Sequence, residues 1–132
     1  MGNLGVAYKR LENFQKAIEC YQSALAISRD VEDRQGEVRW LGSLGIAFKN
    51  LKDYPKAIEY YKQGLTISRE VGDRENEGNC LGNLGNVYRI LGDREQATGL
   101  PLAAVGILEA ISSPNTKVFR DKLDELLKVQ AK

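Results

Sequence analysis

Residues 42–81 read GSLGIAFKNLKDYPKAIEYYKQGLTISREVGDRENEGNCL, and residues 2–41 read GNLGVAYKRLENFQKAIECYQSALAISRDVEDRQGEVRWL. The two stretches are identical at 20 of their 40 aligned positions, and a third, more divergent copy begins at Gly82. A period this strict indicates stacked copies of one supersecondary unit, because each copy can bury its apolar face only against its neighbours.

Each copy is predicted to form two helices. Leu44, Phe48 and Leu51 fall at helical spacing and mark one buried stripe. Asp53 then interrupts the pattern and is a good N-cap for a second helix, in whose first turn Pro55 is tolerated.

The end of the second helix is predicted from glycine. Gly72 suits the left-handed conformation that terminates many helices. Glu32 stands at the equivalent place in the first copy, so we expect that turn to use a different geometry.

The spacing of Leu44-Gly45, Phe48, Ala57 and Tyr61 resembles that of the tetratricopeptide repeat, and the resemblance extends over residues 2–112. The long period of the repeat is similar to that of Pins-type spindle-orientation adaptors and of bacterial repeat scaffolds. The resemblance implies an all-α protein, a right-handed α-solenoid of antiparallel helix pairs whose first helices line a concave face. It also implies a protein–protein interaction module.

We expect a single domain over residues 1–132. Repeat 1 covers 2–41 with a truncated first helix, repeat 2 covers 42–81, and a degenerate repeat 3 covers 82–112. Gly99 and Pro101 predict that the second helix of repeat 3 is bent or begins late, since proline removes a helical N–H. Ser113 and Pro114 predict the start of a polar-faced capping helix over 114–129.

Residues of the first helices that point away from the buried stripe form the candidate peptide-binding groove. They are basic, amide-bearing or small: Lys9, Arg39, Ser43, Ile46, Lys49, Asn50, Asn79, Asn83, Asn86 and Arg89. Side-chain amides both donate and accept, so they can hold an extended backbone.

The character of this set predicts a protein or peptide ligand with acidic residues, because the set contains cations and no acid. Gly42 and Gly82 are expected to leave room for a ligand chain. An alternative for Lys9, Lys49 and Arg89 is that they complement helix C-termini without any ligand. The family's carboxylate clamp is not expected, since of its lysine and asparagine positions only Asn86 matches.

The composition of the chain disfavours several classes of function. The chain has 132 residues, a net charge of +1, no histidine and two cysteines. The missing histidine and the isolated cysteines disfavour an enzyme or a metal site, and no cofactor motif is present. No secretory signal or membrane-spanning run is seen, so a cytoplasmic protein is expected. Both thiols, Cys20 and Cys80, are expected to be reduced and buried, and Trp40 is expected to pack between units.

Three functions stay open at this point. The preferred one is a scaffold or adaptor that binds a partner segment in the groove. The second is self-association through the truncated first helix or the degenerate third repeat, with no groove ligand. RNA binding is the third and is disfavoured by the near-neutral charge and by the absence of groove aromatics.

Overall fold

The computed structural model describes the backbone of residues 2–131 and the side chains of residues 13–125, 127 and 128. Over residues 2–131 the chain forms six helices and no strand, and each helix packs against the next. The helices are α1 (Gly2–Asp30), α2 (Arg34–Asn50), α3 (Tyr54–Val71), α4 (Arg74–Ile90), α5 (Arg94–Ala110) and α6 (Thr116–Ala131). The all-α helical-repeat prediction is confirmed.

The turns between helices recur every 20 residues, which is half of the 40-residue repeat, because each repeat contains two helices. Asp33, Asp53, Asp73 and Asp93 are the N-caps of α2 to α5, and each carboxylate accepts a hydrogen bond from the backbone N–H three residues later. Ser113 continues the series, with its hydroxyl accepting from the N–H of Asn115 at 3.2 Å. These bonds satisfy N–H groups that a helix start leaves unpaired.

The residue before each cap has a positive φ. These residues are Glu32, Lys52, Gly72, Gly92 and Ser112, with φ between 55° and 82°. The cap's own N–H donates to the carbonyl five residues earlier, as Asp73 does to Ser68 at 2.8 Å, which is the Schellman pattern. Gly72 is therefore confirmed as a left-handed terminator. The expectation of a different turn at Glu32 was wrong, because the hydrogen bonds of the turn hold a glutamate in the same conformation.

The first unit differs from the predicted helix pair. α1 runs unbroken from Gly2 to Asp30. It passes through Asn13, which lies 20 residues before Asp33 and therefore at the place where a further cap would be expected. The two helices predicted for the first unit are thus one helix.

α5 begins at Arg94, directly after its Asp93 cap, as α3 begins directly after Asp53. Of the two alternatives predicted for this helix, a bend or a late start, the late start was therefore wrong. Pro101 lies inside the helix with its ring against Gly85, where a Cβ would come 2.5 Å from the proline Cδ. The predicted capping helix exists as α6, which begins at Thr116, two residues later than expected.

The core lies between successive helices of α1 to α5 and includes Leu41, Leu44, Ala57, Tyr61 and Leu84, all essentially inaccessible. Tyr61 packs against Gly45, where a Cβ would come 2.5 Å from the ring. Close approach of α2 and α3 therefore depends on glycine at position 45. The Tyr61 hydroxyl is buried and has no hydrogen-bond partner among the described residues.

Buried glutamates join successive units. Glu77 is 7% exposed and accepts from Arg69 Nε of α3 at 3.1 Å and from Arg74 at 3.2 Å. Glu37 repeats the arrangement at the equivalent position of the preceding unit, paired with Arg29 and Arg34. Glu77 thus links α4 to α3, and Glu37 links α2 to α1.

Trp40 stacks on Tyr21 with ring centroids 5.9 Å apart, which places it between α1 and α2 as expected. Within residues 2–131, no helix is long and apolar enough to cross a membrane.

Candidate functional site

A groove of about 510 Å³ lies between α2, α4 and α6. Its lining mixes amides, a few charges and small apolar groups: Gln35, Val38, Arg39, Gly42, Ser43, Ile46, Asp73, Asn76, Asn79, Cys80, Asn83, Asn115, Val118 and Phe119. We call this surface the α2–α4–α6 groove.

The repeat explains why these side chains meet. α2 and α4 are first helices of successive units, so residues one repeat apart, such as Arg39 and Asn79 or Ser43 and Asn83, occupy the same place on neighbouring helices. α6 begins after the turn that contains Ser113 and forms the third wall of the groove.

Five of the ten residues predicted for the site line this groove. They are Arg39, Ser43, Ile46, Asn79 and Asn83. The structure does not place the others there. Asn50 lines a separate pocket beside Asn13, Phe14 and Ala17. Lys49, Asn86 and Arg89 lie further along α2 and α4 and are taken up below, and the side chain of Lys9 lies outside the described residues.

The asparagines differ in how far they are already bonded. Asn79 Oδ1 accepts from Asn115 Nδ2, in the turn before α6, at 3.1 Å, and Asn86 is 9% exposed. Asn76 Nδ2 donates to the Asp73 carboxylate at 2.7 Å. Asn83 is half-buried, lines the groove, and has no side-chain hydrogen bond to any described residue. Of the asparagines that line the groove, Asn83 is therefore the one with no side-chain hydrogen bond to a described residue, so its donors and its acceptor are available to a ligand.

The two glycines of the groove have different surroundings. A Cβ on Gly42 would meet no heavy atom within 4 Å, so the groove is open above α2. A Cβ on Gly82 would overlap the ring of Phe119. The expectation that Gly82 leaves room for a ligand was wrong, because α6 of the same chain occupies that space.

Charge at the groove comes from one exposed cation and one acid. Arg39 is exposed and forms no ion pair with a described residue. Asp73, absent from the predicted set, lines the groove while its carboxylate caps α4. The groove is thus mixed in charge and rich in amides.

Cys80 lies at the groove wall but is 5% exposed. Burial, and then the negative charge of Asp73, raises the pKa of the Cys80 thiol to about 12. Such a thiol is a poor nucleophile near neutral pH. Cys20 is exposed, so the expectation of two buried thiols holds only for Cys80. Among the described residues, no group of three or more His, Cys, Asp or Glu side chains could hold a metal ion.

The α6 contribution was missed from the sequence. Asn115, Val118 and Phe119 all follow Ser113, which stands one step after Asp93 in the series of caps. The even spacing of the caps would have placed α6 as a further first helix, beside α4.

Comparison with known proteins agrees with this architecture. The sequence model of the tetratricopeptide repeat family matches residues 1–70 and 50–100. Among curated proteins, none matches the sequence.

Three solved structures have the same fold at low identity. The apo form of RapI is 20% identical, with a TM-score of 0.84 over 94% of this chain and 46% of its own. BtubC (BKLC) from P. vanneervenii is 22% identical, with a TM-score of 0.82 over 92% of this chain and 51% of its own. A Podosopora anserina protein described as a putative kinesin light chain with nearly identical TPR-like repeats is 17% identical, with a TM-score of 0.74 over 98% of this chain and 64% of its own. The chain spans about half the length of the first two.

Proposed function

Because this chain belongs to the tetratricopeptide repeat family, whose members generally mediate protein–protein interactions, we propose that it is a scaffold that holds a segment of a partner protein in the α2–α4–α6 groove. The observation that carries the proposal is the unbonded amide of Asn83 beside the open surface at Gly42.

The half-buried Asn83 amide is accessible to solvent in the groove, so a ligand that covers it must replace the hydrogen bonds of water. A polar group that loses water without gaining a partner costs about 1–3 kcal/mol. A peptide backbone supplies both a carbonyl and an N–H, so it matches the two functions of the Asn83 side chain. Its approach over α2 is not obstructed, because Gly42 has no side chain.

The remaining groove surface suits the same ligand. Ile46 is 45% exposed and offers an apolar contact at the groove. Arg39 supplies a cation for an acidic or carbonyl group of the partner. These features support a mainly polar, extended partner segment.

The proposed role needs no catalysis and no cofactor. The chain has no histidine, and the buried Cys80 is protonated at neutral pH. RNA binding is disfavoured because the net charge is +1 and the groove aromatic, Phe119, is 6% exposed and packed on Gly82. We place the protein in the cytoplasm as part of the same proposal.

Self-association is the second candidate function. Exposed apolar side chains outside the groove lie on both outer helices: Ile27 and Val31 on or just after α1, and Leu127 on α6. A second copy covering such a face would leave the groove amides unused. Sedimentation velocity over a range of concentrations separates the two candidates, since a groove scaffold without its partner stays monomeric.

The groove is tested by affinity capture from source lysate, followed by tiling the captured protein as short peptides. The parent chain is compared with Arg39→Ala/Asn83→Ala and with the control Arg94→Ala/Asn50→Ala, which removes the same residue types outside the groove. We expect one tiled segment to bind the parent and the control and to lose most of its affinity for the groove variant. Equal binding to all three chains would refute the groove.

A further inference from the structure

Three cations lie on the same face as the groove, toward the C-terminal ends of α2 and α4. Lys49 is in the last turn of α2, and Arg89 is in the last turn of α4, at the equivalent position of the next unit. Lys122 is carried by α6. We call these residues the cation cluster.

The pairing of α4 with α6 brings Lys122 to this place. Asn79 bonds Asn115, and three residues further along α4 the backbone of Gly82 meets Phe119. As the chain passes from Asn115 into α6 and on to Phe119, its contacts move along α4 from Asn79 to Gly82, so α4 and α6 run in the same direction. One further turn of α6 therefore brings Lys122 beside the segment of α4 around Gly85 and Asn86, about one turn before Arg89.

The three cations of the cluster are not ion-paired within the described part of the protein. None of the three side chains makes an ion pair with any described residue, although Asp121 and Glu125 flank Lys122 on α6. Partial burial, followed by the positive charges of Lys49 and Arg89, lowers the pKa of the Lys122 amine. The like charges are therefore close enough to repel one another.

Helix ends do not account for the whole cluster. Lys49 and Arg89 are favourable at helix C-termini because they complement the dipole. Lys122 lies in the middle of α6, too far from the end for this effect. Its amine lies 5.9 Å from the centroid of the Phe119 ring, so the packing of Phe119 on Gly82 also positions this charge.

We propose that Lys49, Arg89 and Lys122 form a subsite for the carboxylates of an acidic segment of the partner protein, with α6 as an integral part of the recognition surface. This rests on the proposed function, since it extends the α2–α4–α6 groove along the same face. Charge complementarity identifies the occupant: two or more Asp or Glu side chains relieve the repulsion among the cations.

The test uses the probe acetyl-Glu-Glu-Glu-Glu-amide, titrated into the ¹⁵N-labelled full chain and followed by amide chemical shifts. Acetyl-Gln-Gln-Gln-Gln-amide is the neutral comparison, and tetrauridylate is the nucleic-acid comparison. The variant is Lys49→Gln/Arg89→Gln/Lys122→Gln. Its control is Lys62→Gln/Arg94→Gln/Lys128→Gln, which removes the same net charge elsewhere on the surface.

We expect saturable shifts around the cation cluster with the glutamate peptide and none with the glutamine peptide. The cluster variant should bind about tenfold more weakly than the control, and raising salt should reduce that difference. Equal binding to variant and control, absence of saturable shifts, or equal binding of tetrauridylate would each overturn the subsite.

The two proposals fail separately. If binding of the partner segment depends on Asn83 but not on the three cations, the groove proposal stands and the subsite proposal is refuted. If the glutamate peptide binds at the cation cluster but no partner segment depends on Asn83 for binding, the groove proposal is refuted.

Discussion

The ring of Phe119 in α6 occupies the space that a side chain on Gly82 of α4 would need. Position 42 of α2 is the equivalent place one unit earlier, and there the space is empty. The same glycine of the repeat therefore meets another helix in one unit and open surface in the preceding one.

This difference predicts opposite effects of one substitution. Gly82→Ala should destabilise the chain by about 1–3 kcal/mol, because the new methyl group displaces Phe119 and with it α6. Gly42→Ala should be neutral or stabilising by up to about 1 kcal/mol, because alanine favours the helix and meets nothing. Urea unfolding followed by circular dichroism measures both, and equal effects would contradict the packing of Phe119 on Gly82.

The left-handed turns predict a second matched pair. Lys52 has a φ of 63°, so Lys52→Gly should stabilise by about 1 kcal/mol through relief of backbone strain. Gly72→Ala, at a φ of 73° with open space around its Cβ, should destabilise by about the same amount. Thermal unfolding of the two variants measures this, and a loss of stability in Lys52→Gly would show that the lysine side chain matters more than its backbone.

The buried glutamate predicts a third effect. Glu77→Ala should cost about 2 kcal/mol, because the carboxylate is 7% exposed and accepts from two arginines. Glu75→Ala on the same turn is exposed and should change stability by about 0.5 kcal/mol or less. Chemical denaturation of both variants tests this, and a neutral Glu77→Ala would mean that α3 and α4 are held together by apolar packing alone.

The two thiols should react at very different rates. Cys20 is exposed, whereas Cys80 is 5% exposed with its pKa raised to about 12. At pH 8 iodoacetamide should modify the exposed Cys20 in the folded chain and Cys80 only after denaturation. Mass spectrometry of Cys20→Ser and Cys80→Ala variants assigns each site. Rapid labelling of Cys80 in the folded chain would show that α3 and α4 open readily.

Burial of Cys80 also predicts alkaline sensitivity. The folded pKa lies above the ordinary value of 9.0, so between pH 9 and pH 12 the unfolded state binds fewer protons. Stability is therefore lost as pH rises above 9, by up to about 1.4 kcal/mol per pH unit for this thiol. Burial raises the pKa of Tyr61 as well and adds to the loss at higher pH. Denaturation midpoints at pH 7 to 11 should fall less steeply for Cys80→Ala than for the parent, and parallel slopes would contradict the buried thiol.

The repeat framework was predictable because it depends on local signals. Apolar spacing, the Asp53 cap and the Gly72 terminator are each encoded within a few residues, and each was found where expected. The turn at Glu32 was not, because a left-handed glutamate is disfavoured by itself and is held by bonds from the surrounding turn.

The candidate site was predictable only where it depends on the repeat. Residues one repeat apart on α2 and α4 must lie side by side, so Arg39, Ser43 and Asn83 could be placed together from the sequence. The space at Gly82 is occupied by Phe119, whose equivalent one repeat earlier is Asn79, so the repeat does not indicate an aromatic ring at this place. The even spacing of the caps indicates α6 beside α4, but not which side chains of α6, such as Phe119 and Lys122, contact α4.

The even spacing of identical turns also bears on how such an array changes length. Each turn pairs a left-handed residue with a capping residue through the same backbone bonds. An in-frame duplication or deletion of one whole repeat between two of these turns rejoins a helix end to a cap of the same geometry. Unequal recombination can therefore add or remove whole helix pairs without requiring a new turn to evolve.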